Sequence, residues 1–513
     1  MVACAQRKPL TGGDKDIIPP EVKKTTPENQ TTNFLAEQIT IEFNEFILLD
    51  NIQSQLIVSP LMEEAPEIVV RGKKLIIKIK SELTPNTTYS LNFGDAIKDI
   101  TEGNPYPNYK YVFSTGSFID SLTYSGITID AYTLEPQENI FVMLYDEFED
   151  SIPRTKKPRY IAKSDKEGVF SITNIADGEY KLFALNDINS NYLFDLPNEQ
   201  IGFYSDRIQI DSSQTNNKVT VFYEPNEVQY VASIKNSKYG KIDIVTNAPS
   251  DSIEVNSIEE DIFYLEEKNE NRVLTTFWLK HPVEKEEVEL IINDNYEILD
   301  TSMIDLITIE EFQDTILAVS TNISSTFDLD QNIQITVDRP VEKIESLKIS
   351  LLEDSIPVEI ELIQDSLNTR EYYIQYPFKE KMDYLFFIEP SAFIDIYGLA
   401  NDTILQPFKT KKESSYGNLM IDVSPSFSDS YILQLLSKNT IKEEKFGQGE
   451  SNFLFDFLLP GDYQVKLIVD SNNNKEWDTG KYSDMQPEKI IIYEGEISIQ
   501  ENWDNKIDWV IEY

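Results

Sequence analysis

Two short acidic segments carry the residues best suited to chemistry. They read Asp187-Ile188-Asn189-Ser190-Asn191-Tyr192-Leu193-Phe194-Asp195 and Asp470-Ser471-Asn472-Asn473-Asn474-Lys475-Glu476-Trp477-Asp478. Both place Asp, Asn, Asn and Asp at positions 1, 3, 5 and 9 of the segment. Ca²⁺ takes six to eight oxygen ligands, and alternate residues of a tight loop can direct several oxygens at one centre. This spacing therefore predicts a calcium site in each segment.

The predicted ligands occupy equivalent positions in the two segments. They are Asp187, Asn189, Asn191, the carbonyl of Leu193 and Asp195, and then Asp470, Asn472, Asn474, the carbonyl of Glu476 and Asp478. Neither segment has the Gly at position 6 or the Glu at position 12 of an EF-hand, although Glu199 at position 13 is a substitute in the first. Lys475 and Lys481 lower the negative charge of the second. A polar hairpin loop, in which Asp and Asn bond their own backbone, remains the alternative.

Motifs for catalysis are missing from the sequence. The chain has one histidine, His281, and one cysteine, Cys4, so it cannot assemble a zinc site with several His or Cys ligands or a disulfide framework. It has no Gly-x-Ser-x-Gly elbow and no phosphate-binding glycine loop. The 89 acidic residues supply many carboxylate pairs, so a carboxylate-pair hydrolase stays a distant alternative to the prediction of a non-enzyme.

The net charge of the chain restricts its partners. A net charge of −44 excludes general nucleic-acid binding, because phosphate backbones would repel the chain.

The N-terminus suggests a cellular location. Cys4, after an apolar residue and a small one, resembles the end of a bacterial lipoprotein signal, whose Cys becomes lipidated. The charged and apolar regions of a full signal do not precede it, which suggests a misplaced start codon or a trimmed signal. A stray thiol is the alternative. No run approaches the ~18 apolar residues of a transmembrane helix.

The elements that must position the acidic segments are strands. Residues 39–43 and 333–337 alternate apolar and polar, as expected of half-buried strands, and Pro-Asn, Asp-Gly and Pro-Gly pairs punctuate such runs. With 40% hydrophobic residues, the chain can build real cores. The predicted fold class is all-β, with tandem β-sandwiches.

An internal duplication organises these strands. Tyr89 precedes Phe113 by 24 residues, and Tyr384 precedes Phe408 by the same distance. A second spacing also recurs, from Phe170 to Tyr180 to Asp187 and from Phe453 to Tyr463 to Asp470. Repeated spacings indicate tandem modules: a pair at about 20–116 and 117–222, an extra β segment at about 223–315, and the pair again.

Particular motifs resemble a known group of proteins. They are Thr11-Gly12-Gly13-Asp14-Lys15-Asp16, Ile18-Pro19-Pro20, Thr26-Pro27, Phe43-Asn44-Glu45 and Pro85-Asn86-Thr87-Thr88-Tyr89. They look like Bacteroidota cell-envelope lipoproteins with a bacterial Ig-like domain of the S-layer (SbsA) type. Gly178-Glu179-Tyr180 with its flanking strands is similar to a transthyretin-like, carboxypeptidase-regulatory β-sandwich. The resemblance is good over roughly the first 210 residues and over about 416–513, and weak from 223 to 315.

The resemblance implies six regions: a lipid-anchor Cys and tether (1–19), an Ig-like domain (20–116), a transthyretin-like sandwich (117–222), an additional sandwich (223–315), a second Ig-like domain (316–412) and a second transthyretin-like sandwich (413–513). It implies a non-catalytic scaffold held to the cell outer membrane by an acyl (palmitate) chain on Cys4. The expected partner is an outer-membrane β-barrel or another envelope protein, in surface-protein export or assembly. An adhesin or glycan-binding surface protein is the alternative.

Overall fold

The computed structural model describes residues 16–225, 228–257, 264–269, 271–280, 287–483 and 486–512. Cys4 and His281 lie outside these residues. Nearly every regular element is a strand, which confirms the all-β prediction. The helices described are α1 (Ile52–Gln55), α2 (Ile152–Thr155) and two short 3-10 turns (Ser346–Lys348, Glu413–Ser415). No helix in the described ranges is long and apolar enough to cross a membrane.

The chain divides into two compact units. The first contains the residues up to Glu224 together with Asp478–Ile490, and the second contains Pro225–Trp477 together with Ile491–Tyr513. A single chain segment near the C-terminus therefore belongs to the first unit, although the residues on both sides of it belong to the second.

The first sandwich of the first unit is formed by nine strands. These are β1 (Val22–Thr26), β2 (Gln38–Phe43), β3 (Ile47–Leu49), β4 (Ile57–Ser59), β5 (Glu67–Arg71), β6 (Lys74–Lys78), β7 (Thr88–Asn92), β8 (Ile97–Asp99) and β9 (Lys110–Ser114). They make the sheets β1-β2-β6-β5, β4-β7-β9 and β3-β8. Ile39 and Ile41 alternate with more exposed residues on β2 and are fully buried, because side chains on successive strand residues point to opposite faces.

The second sandwich of the first unit follows directly. Its strands are β10 (Leu122–Asp130), β11 (Phe141–Tyr145), β12 (Tyr160–Lys163), β13 (Val169–Ile175), β14 (Gly178–Leu185), β15 (Gln200–Phe203), β16 (Ile208–Ile210) and β17 (Gln214–Tyr223). They order as β12-β11-β14-β15-β17-β10-β13, with β10 and β17 parallel. The segment Asp478–Ile490 packs here: the Tyr482 ring meets Phe183 and Phe203 edge-on at centroid distances of 5.5 and 5.2 Å.

The second unit begins with the additional sandwich. Its strands are β18 (Val231–Lys238), β19 (Lys241–Thr246), β20 (Glu254–Ser257), β21 (Tyr264–Lys268), β22 (Leu274–Leu279), β23 (Glu287–Asp294) and β24 (Glu297–Asp305). They form the sheets β18-β19-β22-β21 and β20-β23-β24 around a core that includes Ile244, Phe277 and Leu290.

The next sandwich repeats the first. Its strands are β25 (Val319–Thr321), β26 (Thr326–Phe327), β27 (Ile333–Val337), β28 (Val341–Ile344), β29 (Ile349–Glu353), β30 (Ile356–Val358), β31 (Glu361–Gln364), β32 (Glu371–Gln375), β33 (Asp383–Ile388), β34 (Phe393–Asp395) and β35 (Ile404–Thr410). The sheets are β25-β27-β32-β31, β26-β35-β33-β29-β30 and β28-β34.

The last sandwich repeats the second. Its strands are β36 (Gly417–Pro425), β37 (Ser430–Ser437), β38 (Thr440–Gln448), β39 (Ser451–Leu458), β40 (Gly461–Asp470), β41 (Ile490–Ile492), β42 (Ile497–Ile499) and β43 (Asp504–Ile511). As β10 does, β36 pairs parallel with the last strand of its sandwich, here β43. Trp509 is buried in this core, and Trp503, just before β43, is 58% exposed.

The predicted duplication is confirmed at the level of side-chain contacts. Tyr89 and Phe113 are direct cross-strand partners with stacked rings 5.4 Å apart, and Tyr384 and Phe408 are partners with stacked rings 5.3 Å apart. The spacing of 24 residues therefore records a conserved strand pairing within the chain. Such aromatic cross-strand pairs stabilise a sheet beyond the area they bury.

Candidate metal-binding loops

The first acidic segment is a loop between β14 and β15 of the first unit. Its base is closed where the Asn186 N–H donates to the Gln200 carbonyl at 3.0 Å and the two amide side chains lie 3.3 Å apart. Phe194 anchors its far side: it is 6% exposed, its N–H donates to the Pro153 carbonyl at 2.8 Å, and the Arg154 guanidinium lies 5.2 Å from its ring centroid. The α2 helix thus supports the loop from outside.

Asp187 holds the turn at the start of this loop. One carboxylate oxygen accepts from the Asn191 N–H at 3.2 Å and the other from the Tyr192 N–H at 2.8 Å. Asn189 and Asn191 continue the pattern, since their side-chain oxygens accept from the N–H groups of Asn191 and Leu193. The oxygens at positions 1, 3 and 5 are therefore turned inward along one tight coil, as the Asx-turn interpretation also requires.

The carboxylate at position 9 meets the two asparagines. The Asn189 and Asn191 amides donate to separate oxygens of Asp195 at 3.0 and 2.7 Å. The structure thus brings Asp187, Asn189, Asn191 and Asp195 into one hydrogen-bonded cluster. A cation bound here would replace the two N–H donors, and the amides would rotate to present oxygen instead.

Glu199 is the buried carboxylate of the site. It is fully buried, and it accepts from the N–H of Ile188 at 3.2 Å and from the N–H groups of Asp195 and Leu196 at 3.1 Å. Three backbone donors compensate its burial, since a buried charge must be hydrogen-bonded. Glu199 therefore ties both ends of the loop together, which is a structural role whether or not it also contacts a cation.

Two residues of the loop adopt left-handed backbone geometry without being glycine. Ser190 has φ 61° and Tyr192, at position 6, has φ 63°. Such a conformation is unfavourable for a bulky residue, so packing must compensate it. The Tyr192 ring packs edge-on against Phe141 at 5.3 Å. The absence of Gly at position 6 therefore does not prevent this coil from forming.

The sequence analysis did not identify a positively charged side chain near this loop, that of Lys163. Burial lowers the pKa of Lys163, and the negative charges of Glu138 and Asp187 act in the opposite direction. The Lys163 ammonium also lies 5.2 Å from the Phe141 ring centroid. A lysine close to Asp187 opposes binding of a second cation. Lys163 is on β12, 24 residues before Asp187, and no sequence signal connects the two.

The second acidic segment has the same hydrogen-bond pattern. The two oxygens of Asp470 accept from the N–H groups of Asn474 at 3.1 Å and Lys475 at 2.9 Å, and the Asn474 side chain accepts from Glu476 at 2.8 Å. Asn473 and Lys475 are left-handed at φ 59° and 67°, matching positions 4 and 6 of the first loop. The two copies, which share the residues at positions 1, 3, 5 and 9, thus also share one backbone path.

Glu488 is the counterpart of Glu199 and was also missed. It is 8% exposed, and its carboxylate accepts from the Asp478 N–H at 3.1 Å, as Glu199 accepts from Asp195. The two glutamates differ in distance along the chain, since Glu199 stands at position 13 and Glu488 at position 19 of its segment. The sequence contained a signal for both glutamates, because Glu-x-Ile leads into the next strand in both copies.

The types of metal-ligand atoms in these loops determine which ions they could bind. Within the described residues, no group of three or more His, Cys, Asp or Glu side chains is placed to hold a metal ion. A calcium site here would therefore depend on asparagine and backbone oxygens beside the aspartates. Such neutral oxygen donors are acceptable to Ca²⁺ and poor for zinc.

A family model of the bacterial Ig-like domain matches residues 16–115. This confirms the Ig-like part of the resemblance for the first sandwich, predicted at 20–116. No match to a curated protein sequence was found.

The structure is also similar to solved surface proteins at low identity. The major pilin subunit BcpA of Bacillus cereus is 11% identical with a TM-score of 0.15, and the similarity covers 77% of this chain and 100% of that one. The S-layer protein SbsC is 9% identical with a TM-score of 0.15, covering 93% and 67%. The adhesin InvE of Yersinia pseudotuberculosis is 12% identical with a TM-score of 0.13, covering 37% and 59%. At these TM-scores the whole chains do not superimpose.

Proposed function

We propose that the protein is a non-catalytic scaffold of the bacterial cell envelope, anchored to the outer membrane by a lipid on Cys4. The observation that carries the proposal is the repetition of one pair of β-sandwiches, each with its own aromatic-rich core. Repeating a whole structural pair extends a protein without building a new pocket, which suits a spacer or a multi-site binding partner better than an enzyme.

The acidic surface is consistent with this role. Charged side chains, many of them paired across strands, cover the solvent faces, as in the bonds from Lys78 and Lys80 to Glu67 at 2.9 and 2.8 Å. Such faces keep long sheets soluble and discourage unspecific edge-to-edge pairing. Specific partners must then recognise shape and particular exposed residues.

Lipid anchoring has a direct test. Cells expressing the protein with its native leader are grown with a palmitate analogue that can be coupled to a dye. We expect label on the wild-type chain and none on Cys4→Ser, with the label in the outer-membrane fraction. Label on both chains, or on neither, would refute the anchor.

The partner is tested separately. We propose that a β-barrel protein of the outer membrane accompanies this chain, in export or assembly of surface proteins. The tagged protein is purified from native membranes in mild detergent, and co-purifying proteins are identified and quantified. Stoichiometric recovery of a β-barrel supports the proposal. Recovery of the chain alone, with binding to a glycan or matrix array, favours the adhesin instead.

We also propose that the acidic loops bind calcium and that the ion stiffens them. The support is the cluster formed by Asp187, Asn189, Asn191 and Asp195, and its repetition in the second segment. A ligand that binds only the folded state raises the melting temperature. We expect a higher melting temperature in calcium than in chelator, with a smaller rise in Asp187→Ala. The same melting temperature in both conditions would refute the proposal.

A further inference from the structure

The first two sandwiches pack against each other through one sheet face and two edge strands. The Ile161 N–H of β12 donates to the Ser59 Oγ of β4 at 3.2 Å. The Lys110 ammonium of β9 donates to the Thr173 Oγ1 of β13 at 3.4 Å. Ser59 and Ser90, a cross-strand pair on β4 and β7, are each 5% exposed. The edge strands β12 and β13 therefore cover the outward side of the sheet β4-β7-β9.

The duplication repeats this sheet in the fourth sandwich, which is formed by β25–β35. The stacked pair Tyr89 and Phe113 corresponds to Tyr384 and Phe408, so β4, β7 and β9 correspond to β29, β33 and β35. The five outward side chains, which we call the outer face, are Leu352, Leu385, Phe387, Leu405 and Pro407, at the positions of Ser59, Ser90, Asn92, Lys110 and Val112.

The outer face is apolar and stays accessible. Leu405 is 58% exposed and Pro407 is exposed, whereas Val112, at the position of Pro407, is 8% exposed. Leu385 and Phe387 lie beside them, half-buried on β33. The chain has thus replaced a polar, covered surface by an apolar, uncovered one. Apolar patches of this kind mark sites of protein interaction.

The last sandwich carries the counterpart of the edge strands that cover the first sandwich. The spacing that relates the two acidic segments also relates β12 and β13 to β38 and β39. Lys163 and Ser171, which line the cleft of about 270 Å³ between the first two sandwiches, correspond to Phe446 and Leu454. Phe446 is 48% exposed and Leu454 is 45% exposed. We call these two side chains on β38 and β39 the apolar edge.

The fourth and last sandwiches are joined differently from the first and second. In the first pair, the Asp120 N–H donates to the Thr88 Oγ1 at 2.9 Å. Asp383 takes the position of Thr88 in the fourth sandwich. The joint there is made by Tyr416, which is 4% exposed and donates from its hydroxyl to Asp328 at 2.8 Å. With this joint, the chain's own last sandwich leaves the outer face open.

The chain that precedes the fourth sandwich packs at one end of it, and not on the outer face. Arg339 is 1% exposed, bonds to Asp314 and lies 5.0 Å from the ring centroid of Phe312. The matching strand pairs β28-β34 and β3-β8 place Arg339 where Glu45 stands in the first sandwich. We call this the covered end.

We propose that the outer face of one chain binds the apolar edge of a second copy of the same chain, as the first sandwich binds the second. A second copy is favoured because it presents the very pair of strands whose counterpart fits this sheet in the first unit. Two such contacts, formed reciprocally, make a closed dimer with two-fold symmetry. The inference is independent of the lipid anchor.

Charge opposes this contact and so predicts its salt dependence. Each chain carries a net charge of −44, so two copies repel each other. Asp456 is exposed on β39 at the position of Thr173, which places a carboxylate and not a cation opposite Leu405. The attraction is therefore apolar, and association should strengthen as salt screens the repulsion between the copies.

The test uses the full chain carrying Cys4→Ser, which removes the single cysteine together with any lipid. Sedimentation equilibrium should show concentration-dependent association, stronger in about 1 M sodium chloride, where charges are screened over about 3 Å. Leu385→Asp with Leu405→Asp is the face variant, and Phe446→Asp with Leu454→Asp is the edge variant. Each should raise the dissociation constant at least about tenfold.

A mixture of the two variants separates this contact from other modes of association. The face variant keeps the apolar edge and the edge variant keeps the outer face, so an equimolar mixture should recover part of the association that each variant alone has lost. Val510→Asp is the matched control, because Val510 is 72% exposed on β43 and should leave association unchanged. Melting temperatures verify that every variant folds.

A disulfide trap tests the geometry. Leu405→Cys and Asp456→Cys, at the positions of Lys110 and Thr173, are placed in separate chains. Oxidation of their mixture should give a linked pair, whereas Leu405→Cys mixed with Val510→Cys should not.

Three results would overturn the proposal. A chain that stays monomeric at every concentration in high salt has no such contact. An edge variant that associates as the wild type does would show that outer faces pair with each other. A disulfide formed within one chain that carries both Leu405→Cys and Asp456→Cys would show that its own last sandwich covers the outer face.

Discussion

The first sandwich and the sandwich that repeats it, called here the first and second copies, place an aspartate at the same position and surround it differently. In the first copy the N–H of Glu102 and three further backbone N–H groups bond Asp99, and they lower its pKa although the side chain is buried. The donors are Thr101, Glu102, Gly103 and Asn104, at 2.6 to 3.2 Å. Asp99 therefore closes its turn as a fully satisfied carboxylate.

In the second copy, burial raises the pKa of Asp395 although N–H groups of Leu399 and Tyr397 and the charge of Arg339 act in the opposite direction. One of its oxygens is buried without a hydrogen-bond partner among the described residues, as is the Nε of Arg339. The comparison shows that the pKa of an aspartate at one position of the sandwich depends on what packs against that end. The copy with a covered end carries a buried arginine and a buried aspartate that each have an unsatisfied polar atom among the described residues, whereas the aspartate of the other copy is fully hydrogen-bonded.

The largest expected effect comes from removing the buried cation. Arg339→Met leaves Asp395 without its nearby positive charge, so the free energy of unfolding of the second unit should fall by about 3 kcal/mol. Glu45→Met, at the matching position of the first copy, should cause no loss, because burial and then Asp99 and Asp16 raise the pKa of Glu45. Calorimetry of the full chains measures both. Equal losses would contradict the proposed difference.

The second largest expected effect distinguishes the hydrogen bonding of Asp99 from that of Asp395. Asp99→Asn keeps the oxygen that accepts from Thr101, Glu102 and Gly103 but turns an amide N–H₂ toward the N–H of Asn104, so amide hydrogen exchange at residue 104 should accelerate by roughly tenfold. Asp395→Asn should change exchange over residues 397–399 less, since the oxygen that accepts from Tyr397 and Leu399 is retained. A larger acceleration in the second copy would contradict the conclusion that Asp99 is the better hydrogen-bonded of the two carboxylates.

The pH dependence should have opposite signs in the two copies. The pKa of Asp395 is raised on folding, so the native state binds this proton first and the free energy of unfolding rises as pH falls through the folded pKa toward about 4. For Asp99, with a lowered pKa, the stabilisation is present above about 4 and is lost as pH falls further. Denaturant unfolding of wild type and Asp395→Asn isolates the first effect. A wild-type advantage that shrinks on acidification would contradict it.

The smallest effect concerns an exposed pair. Lys98 bonds Asp50 at 2.6 Å, and the second copy has Ile394 in place of Lys98. Both side chains of the pair are partly exposed, so Lys98→Ile should change the free energy of unfolding by less than about 1 kcal/mol. A loss as large as that of Arg339→Met would show that surface pairs, and not the covered end, set the difference between the copies.

Part of this architecture can be predicted from the sequence, because the features concerned depend on residues within a single module. The Tyr89 and Phe113 spacing works because cross-strand partners within one module keep a fixed distance along the chain. The tight turn at the start of each acidic loop follows similarly from the Asp and Asn spacing, although Tyr192, with φ 63°, shows that glycine is not required at position 6. Calcium binding stays a prediction.

Other features depend on contacts that no local pattern encodes. Nothing near Asp395 in the sequence indicates that Arg339 will approach it, or that Phe312 and Asp314 will cover that arginine. The glutamates that close the acidic loops were obscured by a length difference, since six more residues precede Glu488 than Glu199. The outer face also becomes visible only when apolar residues of three separated strands are brought to one side of a sheet.

The assignment of Asp478–Ile490 to the first unit has a consequence for biogenesis. A ribosome must polymerise residues 225–477 before that unit has all of its parts, because the segment that packs against Phe183 and Phe203 starts only at Asp478. The first unit therefore lacks this segment for as long as residues 225–477 are still being made.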